Sequence, residues 1–192
     1  MSEFKPISSP ALDAFVPVAE RYCALIETYS ERTPGEFLAE VHGLLPRIYA
    51  AALALPLTDV VFDKNQHDAD APVPESITDP DRGDQAEWSG LVRPLGAWLG
   101  KWCHYRDVFD PYESLSEPEV TGSLADDLCE IYRELRSGLR KWKRGDSGGA
   151  LWEWRFGFET HWGKHSTGAL RAVHSLASAY ETGWPAPESG AA

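Results

Sequence analysis

Apolar residues recur every three to four positions along five stretches of this chain, which is the spacing of an α-helix with one buried face. The first stretch follows Ser9 and Pro10, a capping residue and a proline in the first turn, where a missing N–H costs nothing. The second follows Thr33, which has the spacing of a capping box with Glu36. The other three predicted helices run from about Gln85 to Trp102, from Ser123 to beyond Trp142, and from about Ala150 to Tyr180. Short connections between most of them predict an all-α bundle of about five helices with one long acidic loop.

Two segments lie outside the helical pattern. Residues 56–84 contain eight acidic residues, two basic residues and four prolines without sustained periodicity, which is typical of a flexible acidic loop. Residues 185–192 are mostly small and are predicted to form a tail. No stretch alternates apolar and polar residues as a strand does, so no sheet is expected. Residues 1–192 are therefore predicted to form a single helical domain.

The net charge of −12 restricts the classes of partner. A polyanion repels the phosphate backbone and anionic lipid, so neither nucleic acid nor a membrane is expected as a partner. No apolar run approaches the roughly 20 residues of a membrane-spanning helix. Three widely spaced cysteines without a Cys-x-x-Cys pair favour a reducing, cytoplasmic location. A protein partner, self-association and a bound divalent metal are all compatible with this charge.

Acidic residues on the fourth predicted helix are the first candidates for chemistry. Asp126 and Glu130 are four positions apart and therefore share one helical face. Asp127 follows Leu124 by three positions and precedes Ile131 by four, so it borders the buried stripe. A carboxylate at such a position must be paired, hydrogen-bonded or bound to a metal, because an isolated buried charge is too costly.

The fifth predicted helix supplies imidazoles at the same spacing. His161 and His165 are four positions apart, and His165 falls on the apolar face. Facing helices that contribute carboxylates and imidazoles build metal sites in helical bundles. The residues predicted to hold a divalent metal are Asp126, Asp127, Glu130, His161 and His165. The remaining histidines lack an acidic or imidazole partner at ligand spacing and are predicted to be ordinary residues: His42, His67, His104 and His174.

A structural interpretation competes with the metal site. Arg155 and Glu159 form an i, i+4 pair next to the histidines. These residues could satisfy Asp127 in a buried network that stabilises the fold without any ligand. The polar cluster expected on this interpretation consists of Asp127, Glu153, Arg155 and Glu159. The sequence leaves both interpretations open.

The chain lacks the common catalytic motifs, so no catalytic residue is predicted. It contains no nucleophile elbow, phosphate-binding loop, dinucleotide fingerprint or His-Glu-x-x-His segment. This absence favours a non-enzymatic cytoplasmic interaction or accessory protein of the helical-bundle type. The alternative is a metal-dependent hydrolase or transferase that acts on a phosphorylated small molecule through an Asp/Glu/His cluster between helices four and five.

Two segments of the second half resemble a known signature. Residues 124–135 read LADDLCEIYREL, and Trp152–Phe156 together with His161–His165 read WEWRF and HWGKH. They are similar to the signature of a bacterial family catalogued as a domain of unknown function, family five-zero-six-three, and depart from it only mildly at Cys129, Glu130 and Glu134. The resemblance implies a helical bacterial protein. It implies no activity, substrate or cofactor.

Overall fold

Helices form the body of the protein in the computed structural model, which describes residues 9–57, 85–108, 112 and 119–179. The α-helices are α1 (Pro10–Glu27), α2 (Pro34–Leu53), α3 (Gln85–Leu99), α4 (Leu124–Lys143), α5 (Ser147–Gly157) and α6 (Gly163–Ala179). The predicted all-α bundle is therefore confirmed. The predictions for the acidic loop beyond residue 57 and for the tail at residues 185–192 lie outside the described residues. No segment of the described helices has the length together with the apolar character that crossing a lipid bilayer requires.

Local capping fixes where three of the helices begin. The Ser9 side chain accepts a hydrogen bond from the Leu12 N–H at 3.2 Å. Thr33 and Glu36 form the reciprocal capping box, with distances of 2.9 and 3.3 Å. Ser123 caps α4 by accepting from the Asp126 N–H. These starts follow from short-range hydrogen bonds, which explains why the sequence predicts them correctly.

Helix α4 is the central element of the bundle. It packs against α1, α3, α5 and α6. Its apolar stripe is fully or almost fully buried and consists of Leu124, Leu128, Ile131, Leu135 and Leu139. Asp127 and Glu134 lie at the border of this stripe and are buried with it. The central position of α4 brings these two carboxylates against neighbouring elements instead of leaving them in solvent.

A missing side chain on α4 allows Trp154 of α5 to pack against the α4 backbone. Trp154 of α5 is fully buried and donates its indole N–H to the Leu135 carbonyl at 3.1 Å. A Cβ on Gly138 would lie 2.1 Å from that indole nitrogen, closer than two such atoms can approach. Gly138 therefore leaves the space into which Trp154 inserts.

A π-helical turn at Phe158–Trp162 joins α5 to α6. The N–H of Gly163 donates to the Phe158 carbonyl five positions earlier, and a Cβ on Gly163 would lie 2.4 Å from that oxygen. The sequence predicts one uninterrupted helix from about Ala150 to Tyr180, whereas α5 begins at Ser147 and the π-turn that follows it contains one extra residue. One inserted residue rotates the side chains that follow it by about 100° relative to those before it.

A short antiparallel hairpin precedes α4, contrary to the expectation of no strand. Strand β1 (His104–Asp107) pairs with β2 (Val120–Ser123), and Tyr105 lies opposite Gly122. Strands of four residues are too short to show a two-residue alternation, which explains why the pattern misses them. The hairpin brings Tyr105 to the N-terminal end of α4, next to Asp127.

Candidate functional site

Asp127 is the centre of a three-residue hydrogen-bond network. Its side chain is almost entirely buried. The Tyr105 hydroxyl donates to Oδ2 of Asp127 at 2.5 Å, and Nδ1 of His165 lies 2.8 Å from Oδ1. An ionised carboxylate only accepts hydrogen bonds, so Nδ1 of His165 is the donor. In the neutral imidazole this leaves Nε2 as the basic nitrogen, and no described residue forms a hydrogen bond with it.

Two glycines make room for Tyr105 in this network. A Cβ on Gly122 would lie 2.5 Å from the Tyr105 ring, and a Cβ on Gly168 of α6 would lie 2.7 Å from its hydroxyl oxygen. Both distances are too short for real atoms, so the tyrosine occupies a slot that exists because β2 and α6 lack side chains there. The apolar pattern of the sequence does not predict Tyr105 as a site residue, because the slot depends on a hairpin that this pattern does not reveal.

Asp126 joins Asp127 and His165 in a group that fits a cation. One ligand atom of each residue lies within 4.8 Å of the others. Opposite ligands at bond lengths of roughly 2.0–2.6 Å are separated by about 4–5 Å, so the spacing fits a divalent ion. The three residues are half-buried or buried. The structure thus brings together three of the five predicted metal ligands.

The other two predicted ligands lie next to this group, with a second buried acid. Nε2 of His161 is 3.9 Å from Glu130, and its Nδ1 is 3.2 Å from Oε1 of Glu134. Arg133 approaches Glu130 at 2.6 Å and partly neutralises it. The imidazole rings of His161 and His165 meet edge to face at 4.9 Å. Glu134 was not predicted, although it continues the four-residue spacing from Asp126 to Glu130.

The polar cluster expected from the sequence is divided between three places. Only Asp127 belongs to the network just described. Glu153 forms a buried ion pair with Lys141 at 2.6 Å, near the other end of α4. Arg155 donates to the carbonyls that end α2, those of Ala52, Leu53 and Leu55, and pairs with Glu159 at 2.6 Å. Arg155 and Glu159 therefore bind α2 to α5 and do not satisfy Asp127.

A further pair of histidines also departs from the prediction. His42 of α2 and His174 of α6 were expected to be ordinary residues, but their ring nitrogens lie 3.1 Å apart. They are 132 positions apart in sequence, and no local spacing could predict their contact.

The environment of the site raises the pKa values of Tyr105, His165 and Asp126, with burial and the Asp127 charge acting on Tyr105. Burial alone would lower the pKa of His165, but the hydrogen bond and charge of Asp127, with Glu130 and Asp126, outweigh it and raise the pKa above 6.5. Burial raises the pKa of Asp126, partly opposed by His165. The carboxylates of the site therefore stabilise a positive charge on His165, and burial disfavours the negative charge on Asp126.

Comparisons with known proteins cover almost the whole chain. Residues 7–179 match the model of a family described as a domain of unknown function (DUF5063). The crystal structure of protein BF1032 from Bacteroides fragilis is similar in fold, with a TM-score of 0.68 over 97% of this chain and 100% of that one, at 18% identity. No curated protein matches the chain. At this identity the structural similarity shows the fold alone.

Proposed function

The chain belongs to the family of the domain of unknown function DUF5063, and from its own side chains we propose that it is a metal-dependent hydrolase or transferase acting on a phosphorylated small molecule. The observation that supports this proposal is the convergence of Asp126, Asp127 and His165 within 4.8 Å. These residue types bind divalent metals, and they come from two different elements, α4 and α6.

A divalent cation at this position would give each nearby residue a role that follows from its contacts. Asp126 and Nε2 of His165 would be direct ligands, with Asp127 behind the histidine. Asp127 holds Nδ1 of His165 and so directs Nε2 outward, as carboxylates behind metal-binding histidines do. A cation at this position would polarise a phosphoryl oxygen and lower the pKa of a bound water. His161, whose ring contacts that of His165, would be the general base that takes a proton from an attacking water, and the departing ester oxygen would take its proton from solvent.

Asp126→Asn provides the direct test of the metal site. We expect protein purified without chelator or histidine tag to contain a divalent metal, or to bind Mn²⁺ or Zn²⁺ in calorimetry after dialysis against EDTA. The substitution should weaken that binding by about tenfold or more, because it removes a ligand oxygen's charge. Metal content and titration calorimetry measure the effect.

The matched control is Asp13→Asn, which neutralises another first-turn acid on an exposed position of α1. It should bind metal as the wild type does. Equal weakening in both variants would attribute the effect to net charge, and unchanged binding in Asp126→Asn would refute the site.

A second candidate function is the non-enzymatic interaction or accessory role in the cytoplasm, which the surface of α5 favours. Trp152 and Phe156 stack in parallel with ring centroids 4.9 Å apart, and Phe156 is 48% exposed. Leu53, also exposed, ends the helix whose carbonyls Arg155 binds. Exposed aromatic residues at one place are typical of surfaces that bind another protein or a second copy of the same chain.

Phe156→Ser tests this second function. If α5 mediates self-association, light scattering of the wild type should show a concentration-dependent dimer that the variant lacks. Tyr112→Ser, at a position 97% exposed, is the control and should leave the mass unchanged. A wild type that is monomeric at every concentration would contradict self-association through α5.

A further inference from the structure

A pocket of about 300 Å³ lies between α6, β1 and the turn that follows α3. Among the described residues that line it none is acidic, and the basic ones are Lys101, His104, Arg106 and Arg171. The whole chain carries 30 acidic and 18 basic residues, so an acid-free basic lining runs against the composition. The pocket is therefore a local site for an anion on an otherwise anionic protein.

The two arginines are held in place by acids outside the lining. Arg171 donates through one terminal nitrogen to Asp107 and to the Arg106 carbonyl, and Arg106 pairs with Glu119 at 3.2 Å. A guanidinium has five donors in a planar fork. The contacts of Arg171 leave its Nε and its other terminal nitrogen available for a ligand. The acids thus orient the arginine without using all its donors.

The wall of the pocket provides an aromatic surface. The ring of Trp102, which lines the pocket, lies 5.6 Å from the Lys101 ammonium. The pocket therefore combines charge, fork-shaped donors and an apolar face.

Tyr105 connects this pocket to the candidate metal site. Its ring lines the pocket, and its hydroxyl donates to Asp127. A molecule that occupies the pocket is therefore one tyrosine side chain away from the Asp126, Asp127 and His165 group. Proteins commonly bind phosphate groups through arginines that contact some of the phosphate oxygens and a divalent cation that contacts others.

We propose that this pocket binds a phosphate group of the small-molecule substrate, with the Tyr105 side chain between that phosphate and the candidate metal site. The proposal rests on the function proposed above and adds the substrate's binding group. A volume of about 300 Å³ is at the lower end for small-molecule sites, so the ligand is a compact phosphomonoester or diphosphate. Arginine forks recognise phosphate bidentately, and the surrounding positive charge favours a ligand with more than one negative charge.

The test is calorimetric titration of the full chain with inorganic pyrophosphate in the presence of EDTA. Lys101→Gln combined with Arg106→Gln should weaken binding by about tenfold, because the double substitution removes two of the basic residues that line the pocket. The control combines Arg47→Gln and Lys143→Gln, which change the net charge equally on exposed positions outside the pocket. The control should change the affinity by less than about twofold. Thermal unfolding followed by circular dichroism verifies that both double variants fold.

Three outcomes would overturn the inference: no pyrophosphate binding by the wild type, equal weakening in both double variants, or equal binding of succinate, which would indicate a general anion site. Failure of the proposed metal site can be distinguished from failure of the phosphate pocket. If Asp126→Asn binds both Mn²⁺ and pyrophosphate as the wild type does, the proposed metal site fails and the phosphate pocket stands. If Mg²⁺ strengthens pyrophosphate binding in the wild type but not in Asp126→Asn, both are supported.

Discussion

Replacing Gly138 by alanine is expected to destabilise the protein by about 3 kcal/mol, a large share of the stability of an ordinary domain. The new Cβ would lie 2.1 Å from the indole nitrogen of Trp154, so the fully buried ring must move. Movement would also break the 3.1 Å hydrogen bond to the Leu135 carbonyl and separate α4 from α5. Urea denaturation of wild type and variant measures the change in the free energy of unfolding.

Gly43→Ala is the matched control, because it makes the same substitution inside another long helix. No atom lies within 4 Å of a Cβ at Gly43. Here alanine should stabilise the protein by about 0.5–1 kcal/mol through its higher helix propensity. Equal effects of the two substitutions, or a stable Gly138→Ala variant, would contradict the close packing of Trp154 on α4.

Replacing Asp127 by asparagine is expected to cost about 2 kcal/mol in metal-free protein, because the charged acceptor for Tyr105 and His165 is lost. The loss of stability depends on pH, in a direction that the raised pKa of His165 defines. The pKa of His165 is raised in the folded state, so its contribution to stability is full below about pH 6.5 and disappears as the pH rises through the folded pKa. The substitution should therefore cost more at about pH 6 than at about pH 8. Urea denaturation at both pH values measures this, and NMR titration should show a lower pKa for His165 in the variant.

Asp126→Asn distinguishes this network from a general effect of charge at the start of α4. Burial raises the pKa of Asp126, so its ionised form is disfavoured in the folded protein. Removing that charge should leave metal-free protein equally stable or more stable at neutral pH. A loss in Asp126→Asn as large as that in Asp127→Asn would mean that the helix dipole, rather than Tyr105 and His165, accounts for both.

Local interactions explain which parts of the fold the sequence predicts. Ser9, the Thr33–Glu36 capping box and Ser123 begin helices through hydrogen bonds that span three residues. The apolar stripe of α4 is buried as its periodicity predicts. The capping hydrogen bonds lie within a single helical turn, and the helical repeat sets the stripe. Residues close together in the sequence are therefore enough to predict both.

The sequence predicts only part of the candidate site, because local patterns place residues on a helical face but do not reveal contacts between distant residues. The sequence places Asp126, Asp127, His161 and His165 on two helices, since spacing defines a helical face. It misses Tyr105 and wrongly groups Asp127 with Arg155 and Glu159. The partners of Asp127 come from positions 22 and 38 residues away, and short-range patterns contain no information about such contacts.

The sequence by itself therefore determined the helical class of the fold, three of the helix starts and the faces that carry acids and imidazoles. The tertiary structure decided which of those side chains meet. The π-turn at Phe158–Trp162 sets the rotation of α6, and the missing Cβ atoms of Gly122 and Gly168 open the slot for Tyr105. Both depend on the rotation and separation of elements distant in sequence, and the packing of the whole core fixes these because atoms there cannot overlap.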